Sequence, residues 1–188
     1  SRGGLAMGKL SGADDIDVYG LTAKSDGGAL SIHIGGIRGA DFVISVQDKN
    51  RQEIKRVDET ATGGDEELLD VGIDRGAYFI SLSNKNPKPG EMSQEYEMKV
   101  KVEPGAGRER EPNDKALTAN PLVPGTLVRG HYFPSRNLLA SDEMQEEDWY
   151  RIEAEKPGDY VLNIDVSEVP KVDPVLEIYD ANAYKIKE

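Results

Sequence analysis

Apolar residues in this chain recur at every second position, and that spacing leaves little room for anything but β-structure. Tyr96, Met98, Val100 and Val102 alternate with Glu97, Lys99 and Lys101. Successive side chains of a strand point to opposite sides, so this run has one face to bury and one to wet. Leu30, Ile32 and Ile34 alternate with Ser31 and His33 in the same way. Phe42, Ile44 and Val46 repeat the pattern, as do Tyr78, Ile80 and Leu82, and then Tyr160, Leu162, Ile164 and Val166 opposite Val161, Asn163 and Asp165. Five half-buried strands are predicted on this ground. Between them stand Gly27-Gly28, Gly35-Gly36, Gly63-Gly64, residues 87–90 and Pro157-Gly158, turn chemistry at the short intervals of an antiparallel sandwich or barrel. A helix is expected at most over residues 137–146, which are polar, acidic and too few to hold a helix without docking.

Self-similarity sets the domain count. Gly8-Lys9-Leu10 leads to Asp17-Val18-Tyr19, then Gly28, and then Asp41-Phe42 through Asp48-Lys49-Asn50; Gly125-Thr126-Leu127, Asp148-Trp149-Tyr150, Gly158 and Asp173-Pro174 through Asp180-Ala181-Asn182 follow in the same order. The offset is about 130 residues, and the inward positions stay in phase: Phe42, Ile44 and Val46 match Pro174, Leu176 and Ile178. Two tandem β-domains are expected, at residues 1–103 and 115–188. They are joined by a surface linker, residues 104–114, rich in Pro, Gly and charge. By comparison with the first copy, the second lacks roughly 45 residues of C-terminal strands. A sandwich without them exposes an apolar face and open edges, so either a longer native chain or a neighbouring chain is expected to supply strands.

Charge narrows the function. Of the 188 residues, 35 are Asp or Glu and 23 Lys or Arg, a net charge of −12. That balance argues against sequence-independent binding to nucleic acid or anionic membrane and favours cations or basic surfaces. The absence of Cys removes thiol catalysis, thiolate metal sites and disulfides together. No stretch approaches the roughly eighteen consecutive apolar residues of a membrane helix, and no charged-then-apolar signal segment opens the chain, as expected of a mature form or an excised piece.

The order Glu111-Pro112-Asn113-Asp114, Pro121-Leu122, Gly125, Asp148-Trp149-Tyr150, Pro157-Gly158-Asp159-Tyr160 and Asp173-Pro174 through Asp180-Ala181-Asn182 resembles the bacterial pre-peptidase C-terminal domain family. The first copy departs from the pattern, with Val18 where an aromatic residue is usual and no Glu-Pro-Asn-Asp opening. The resemblance implies two tandem antiparallel jelly-roll-like β-sandwiches. It also implies a non-catalytic binding or spacer module of an exported bacterial protein, secreted, periplasmic or at the cell surface. Two alternatives stand beside it: accessory domains of a secreted hydrolase whose catalytic domain lies elsewhere, and an assembly module completed by a partner strand.

Acidic turns are where chemistry is expected. Asp14, Asp15 and Asp17 precede a strand in the first copy, and Asp142 and Asp148 occupy the equivalent place in the second. Such hard oxygen ligands in turns suit Ca²⁺. Some relatives in the resembled family use acids of the linker for Ca²⁺, which implies Glu111, Asn113 and Asp114 here. Solvation of loops is the competing role for all these acids. Partner contact, with a protein or a polysaccharide surface, is expected of His131, Tyr132, Phe133 and Arg136, which open a long loop rich in interface-forming residue types, and of Trp149. No catalytic residue is predicted: a nucleophile elbow is absent, and Gly35-Gly36-Ile37-Arg38-Gly39 lacks the Lys-Ser or Lys-Thr of a phosphate loop.

Overall fold

The computed structural model describes residues 2–10, 14–85, 95–131, 147–154, 156–167 and 173–187. These described residues are all-β apart from one 3₁₀ turn, Ala116–Thr118. Eight strands make a sandwich: β1 (Arg2–Gly8), β2 (Asp17–Ala23), β3 (Gly28–Ile34), β4 (Phe42–Gln47), β5 (Glu53–Val57), β6 (Glu66–Ile73), β7 (Gly76–Asn84) and β8 (Tyr96–Pro104). One sheet has the order β1-β8-β3-β6 and the other β2-β7-β4-β5, all pairs antiparallel. This alternation of strands between two sheets is that of a jelly roll.

Four of the five alternating runs become β3, β4, β7 and β8, and their apolar faces meet between the sheets. Leu30, Ile32, Ile34, Phe42, Ile44, Val46, Ile80, Leu82, Tyr96 and Met98 form one buried cluster. Phe42 meets Tyr96 edge-on, with ring centroids 6.0 Å apart, an arrangement the ring quadrupoles favour. The Tyr96 hydroxyl satisfies itself on Asp17 Oδ2 at 2.5 Å and on the Tyr19 hydroxyl. β4 departs from the one-faced expectation. Val43 and Ser45 are buried as well; Ser45 is flanked in register by Ser81 and Arg56 and donates to Glu53 Oε2.

Residues 104–131 and 147–151 belong to the same compact unit as the sandwich, which spans Ser1–Arg151. Two short pieces in it, β9 (Asn120–Pro121) and β10 (Tyr150–Arg151), pair in parallel. The surface character predicted for residues 104–114 is corrected here: Gly105, Glu109, Glu111 and Asn113 are buried. Charge alone suggested a solvated linker, but the segment lies along a sheet edge and alternates like a strand.

Among the described residues the second unit, Ile152–Glu188, carries one antiparallel ladder, β11 (Ile178–Tyr179) with β12 (Lys185–Lys187). The strand predicted over residues 160–166 is not formed. Tyr160 and Val161 are 62% and 88% exposed and Leu162 and Val166 are exposed too. Alternation makes a strand only when a neighbour supplies a ladder and a face to cover, and no described residue does so here. The helix expected over residues 137–146 lies outside the described residues.

Candidate metal centre

The site is built by the segment that follows β8. β6 is an edge strand, and its pairing with β3 slips between Leu30 and Ile32, where Val71 and Leu68 are their partners. Two residues of β6, Leu69 and Asp70, thus oppose Ser31 alone. This is a β-bulge, with Asp70 at φ 50. Beyond the bulge the edge accepts the 104–114 strap: Glu111 N donates to Asp70 O at 2.9 Å and Gly72 N donates to Glu111 O at 2.7 Å. Gly72 permits this approach, since a Cβ there would stand 3.2 Å from Arg110 Cβ and 3.3 Å from Glu111 O. The strap covers groups that an open edge would leave unpaired.

Further bonds lock the strap from outside. Glu109 N donates to Arg129 O and Arg129 N to Gly107 O. The Asn120 side chain clamps Arg110, accepting from its N at 2.9 Å and donating to its O at 3.0 Å. Trp149 N donates to Asn113 O at 3.0 Å, which brings Asp148 alongside.

Glu109, Glu111 and Asp148 converge as a result. One carboxylate oxygen from each lies within 4.8 Å of the others, about the separation of two oxygens on opposite sides of a shared Ca²⁺ with bonds of about 2.4 Å. Glu109 is 0% exposed, Glu111 2% and Asn113 0%, while Asp148 faces solvent. Glu109 Oε2 accepts the Tyr150 hydroxyl at 3.1 Å, and Oε1 accepts His131 N at 3.4 Å. Gly130 makes room for it, because a Cβ there would lie 1.9 Å from Glu109 Oε2. Glu111 Oε2 accepts Asn113 N and stands 3.6 Å from Lys55 Nζ. Glu111 Oε1 and both polar atoms of the Asn113 side chain are buried with no hydrogen-bond partner. Buried polar atoms without a partner are costly, and a cation would satisfy the two acceptors among them, Glu111 Oε1 and Asn113 Oδ1, though not the donor Asn113 Nδ2.

The electrostatics match that arrangement. Burial, and then the Asp148 charge, push Glu109 up to about 7, against the lowering effect of the His131 amide. Asp148 is exposed as a whole residue, but its carboxylate converges on the cluster, where desolvation and then the charges of Glu111 and Asp114 raise it to about 6, with Lys55 opposing. The Tyr150 hydroxyl is raised as well, by burial and by Glu109 beside it. One ammonium, Lys55, stands against three carboxylates, so the cluster either keeps protons near neutral pH or takes a cation.

Of the residues singled out from the sequence, Glu111, Asn113 and Asp148 come together here, with Asp114 close enough to act on Asp148. Glu109 joins them unforeseen; its signal is the alternation Arg108-Glu109-Arg110-Glu111, which puts both acids on one side. Among the described residues Asp14, Asp15 and Asp17 join no converging group of three, and Asp17 holds the Tyr96 hydroxyl. Asp142, Tyr132, Phe133 and Arg136 lie outside the described residues. His131 Nδ1 is 2.8 Å from Asp70 Oδ2, and Arg108 Nη1 is 3.5 Å from Asp70 Oδ1. Trp149 is half-buried and donates its indole N–H to Glu147 at 3.0 Å. His33 faces Asp65 and Glu67 at 3.6 and 3.7 Å. Ser31, the hydroxyl near the His131–Asp70 pair, accepts Asp70 N.

No family model matches the chain, and no curated protein matches it. Among solved structures it is similar to the pre-peptidase C-terminal domain of a collagenase from Bacillus anthracis, at 16% identity over 53% of this chain and 88% of that one, with a TM-score of 0.39. It is also similar to PliG of Aeromonas hydrophila, a periplasmic inhibitor of g-type lysozyme, at 16% identity over 54% and 86%, TM-score 0.37. A protein from Sulfurospirillum deleyianum is similar at 6% identity over 55% and 98%, TM-score 0.36.

Proposed function

We propose that this chain is a non-catalytic binding or spacer module of an exported bacterial protein, a β-sandwich followed by a second, smaller β unit, and stiffened by one Ca²⁺. Glu109, Glu111 and Asp148 hold the ion, and Asn113 and Asp114 complete its oxygen shell. The observation that carries the calcium site is the convergence of three carboxylates beside the unpartnered acceptors Glu111 Oε1 and Asn113 Oδ1. An all-oxygen set without His or Cys in an irregular loop suits Ca²⁺ rather than zinc or copper. The ion would tie strap residues 109–114 to Asp148, fixing the path by which the chain leaves the sandwich. No helix of the described residues is long and apolar enough to cross a membrane.

Terbium luminescence tests the site. Tb³⁺ substitutes for Ca²⁺ at oxygen sites and is excited through nearby aromatic rings, here Tyr150, bonded to Glu109, and Trp149. Emission should saturate at one ion per chain, fall when Ca²⁺ is added, and vanish in the Glu109→Gln/Glu111→Gln variant. Absence of saturable emission, or emission unchanged in that variant, would sink the reading.

A further inference from the structure

A charge from the other sheet reaches the cation site. Lys55 lies on β5 opposite Val46, which is 0% exposed. Residues opposite each other on antiparallel strands point to the same side, so Lys55 is aimed between the sheets. Val57, the next inward position of β5, is an apolar core residue. Lys55 departs from that pattern and runs its ammonium to the strap on β6, where Nζ stands 3.6 Å from Glu111 Oε2; the two side chains are 27% and 1% exposed. The separation is too long for a hydrogen bond, so Lys55 acts on the site as a charge. That charge is felt at Asp148 as well, where it opposes Glu111 and Asp114.

A fixed charge repels an ion in proportion to the ion's valence, and between partly buried groups the repulsion is weakly screened. With Glu109, Glu111 and Asp148 ionised, three carboxylates and one ammonium leave a surplus of two negative charges. A divalent cation cancels that surplus and a trivalent one exceeds it. A neutral residue in place of Lys55 would leave a surplus of three. The ordinary role of an inward-pointing Lys on an edge strand is to discourage pairing with another chain, and β5 is an edge strand. That role carries no dependence on the valence of a bound ion.

We infer that Lys55 sets the valence selectivity of the cation site. Its ammonium stays beside Glu111 when the ion binds, weakens the binding of every cation, weakens that of trivalent ions most, and so tilts the site toward Ca²⁺ against trivalent ions of similar size. The inference rests on the Ca²⁺ reading given above and extends it to a residue outside the oxygen shell.

The test measures Ca²⁺ affinity by calorimetry and Tb³⁺ affinity by luminescence, on the whole native chain and on its Lys55→Met and Lys55→Arg variants. Lys55→Met should tighten Ca²⁺ binding about tenfold and Tb³⁺ binding about thirtyfold, the two exponents standing in the ratio of the valences. Lys55→Arg keeps the charge and should leave both affinities close to those of the native chain. If Lys55→Met loses the circular dichroism spectrum of the sandwich, Lys55→Gln serves the same comparison. Affinities unchanged in the neutral variant, shifted by the same factor for both ions, or shifted as far by Lys55→Arg would overturn the inference and leave the Ca²⁺ site standing. A native chain that binds neither ion would overturn both.

Discussion

Phe42→Ala should lower the unfolding free energy of the sandwich by about 3–5 kcal/mol, the usual cost of emptying a buried aromatic site. Phe42 is 2% exposed and its ring meets Tyr96, whose hydroxyl is held by Asp17 and Tyr19. Tyr96 therefore cannot swing into the space without giving up buried hydrogen bonds, and the cavity stays largely open. Urea unfolding followed by circular dichroism should show a lower midpoint at unchanged slope. Leu117→Ala, at a side chain 99% exposed, should change stability by no more than about 0.5 kcal/mol. Equal effects of the two would contradict the placement of the core.

The contrast between these residues reflects what sequence spacing carries. Phe42, Ile44 and Val46 lie in phase, so their burial is legible without coordinates. The run over residues 160–166 has the same spacing and stays exposed, because spacing says which face a strand would bury and not whether a neighbour exists to cover it. Glu111, Asn113 and Asp148 were reachable through the resemblance and the acidic turns. Glu109 was not, since Arg-Glu-Arg-Glu between Gly and Pro has the composition of a solvated linker. What surrounds its carboxylate is Gly130, His131 and Tyr150, residues 21 to 41 positions further along the chain, and no local pattern announces that approach.

Millimolar Ca²⁺ should raise the melting temperature of chelator-treated protein at pH 7.5 by about 5–10 °C. A ligand at a hundred times its Kd adds about 2.7 kcal/mol to a state that alone binds it, and about 1 kcal/mol moves a domain of this size by about 2–4 °C. The pH dependence has a definite sign. Glu109 at about 7 and Asp148 at about 6 lie above the values of about 4 for unfolded carboxylates. The folded state therefore holds protons that the unfolded state releases. Their contribution is complete below about pH 4 and is lost as pH rises through 6 and 7. In chelator the melting temperature should fall between pH 5 and 7.5; with Ca²⁺ in place of the protons it should not. The lowered carboxyls, Asp74 held by the Gly27 amide and Glu103 by Lys101, act with the opposite sign and below this window. Two parallel curves across pH 5–7.5 would show that the raised pair is not where the cation binds.

Calorimetric titration of Ca²⁺ into metal-free protein tests the central claim most directly. One ion per chain is predicted for the native sequence, with the heat lost in Glu111→Gln/Asp148→Asn while the circular dichroism spectrum of the sandwich is kept. No binding to the native protein, or full binding by that variant, would contradict a Ca²⁺ site at Glu109, Glu111 and Asp148.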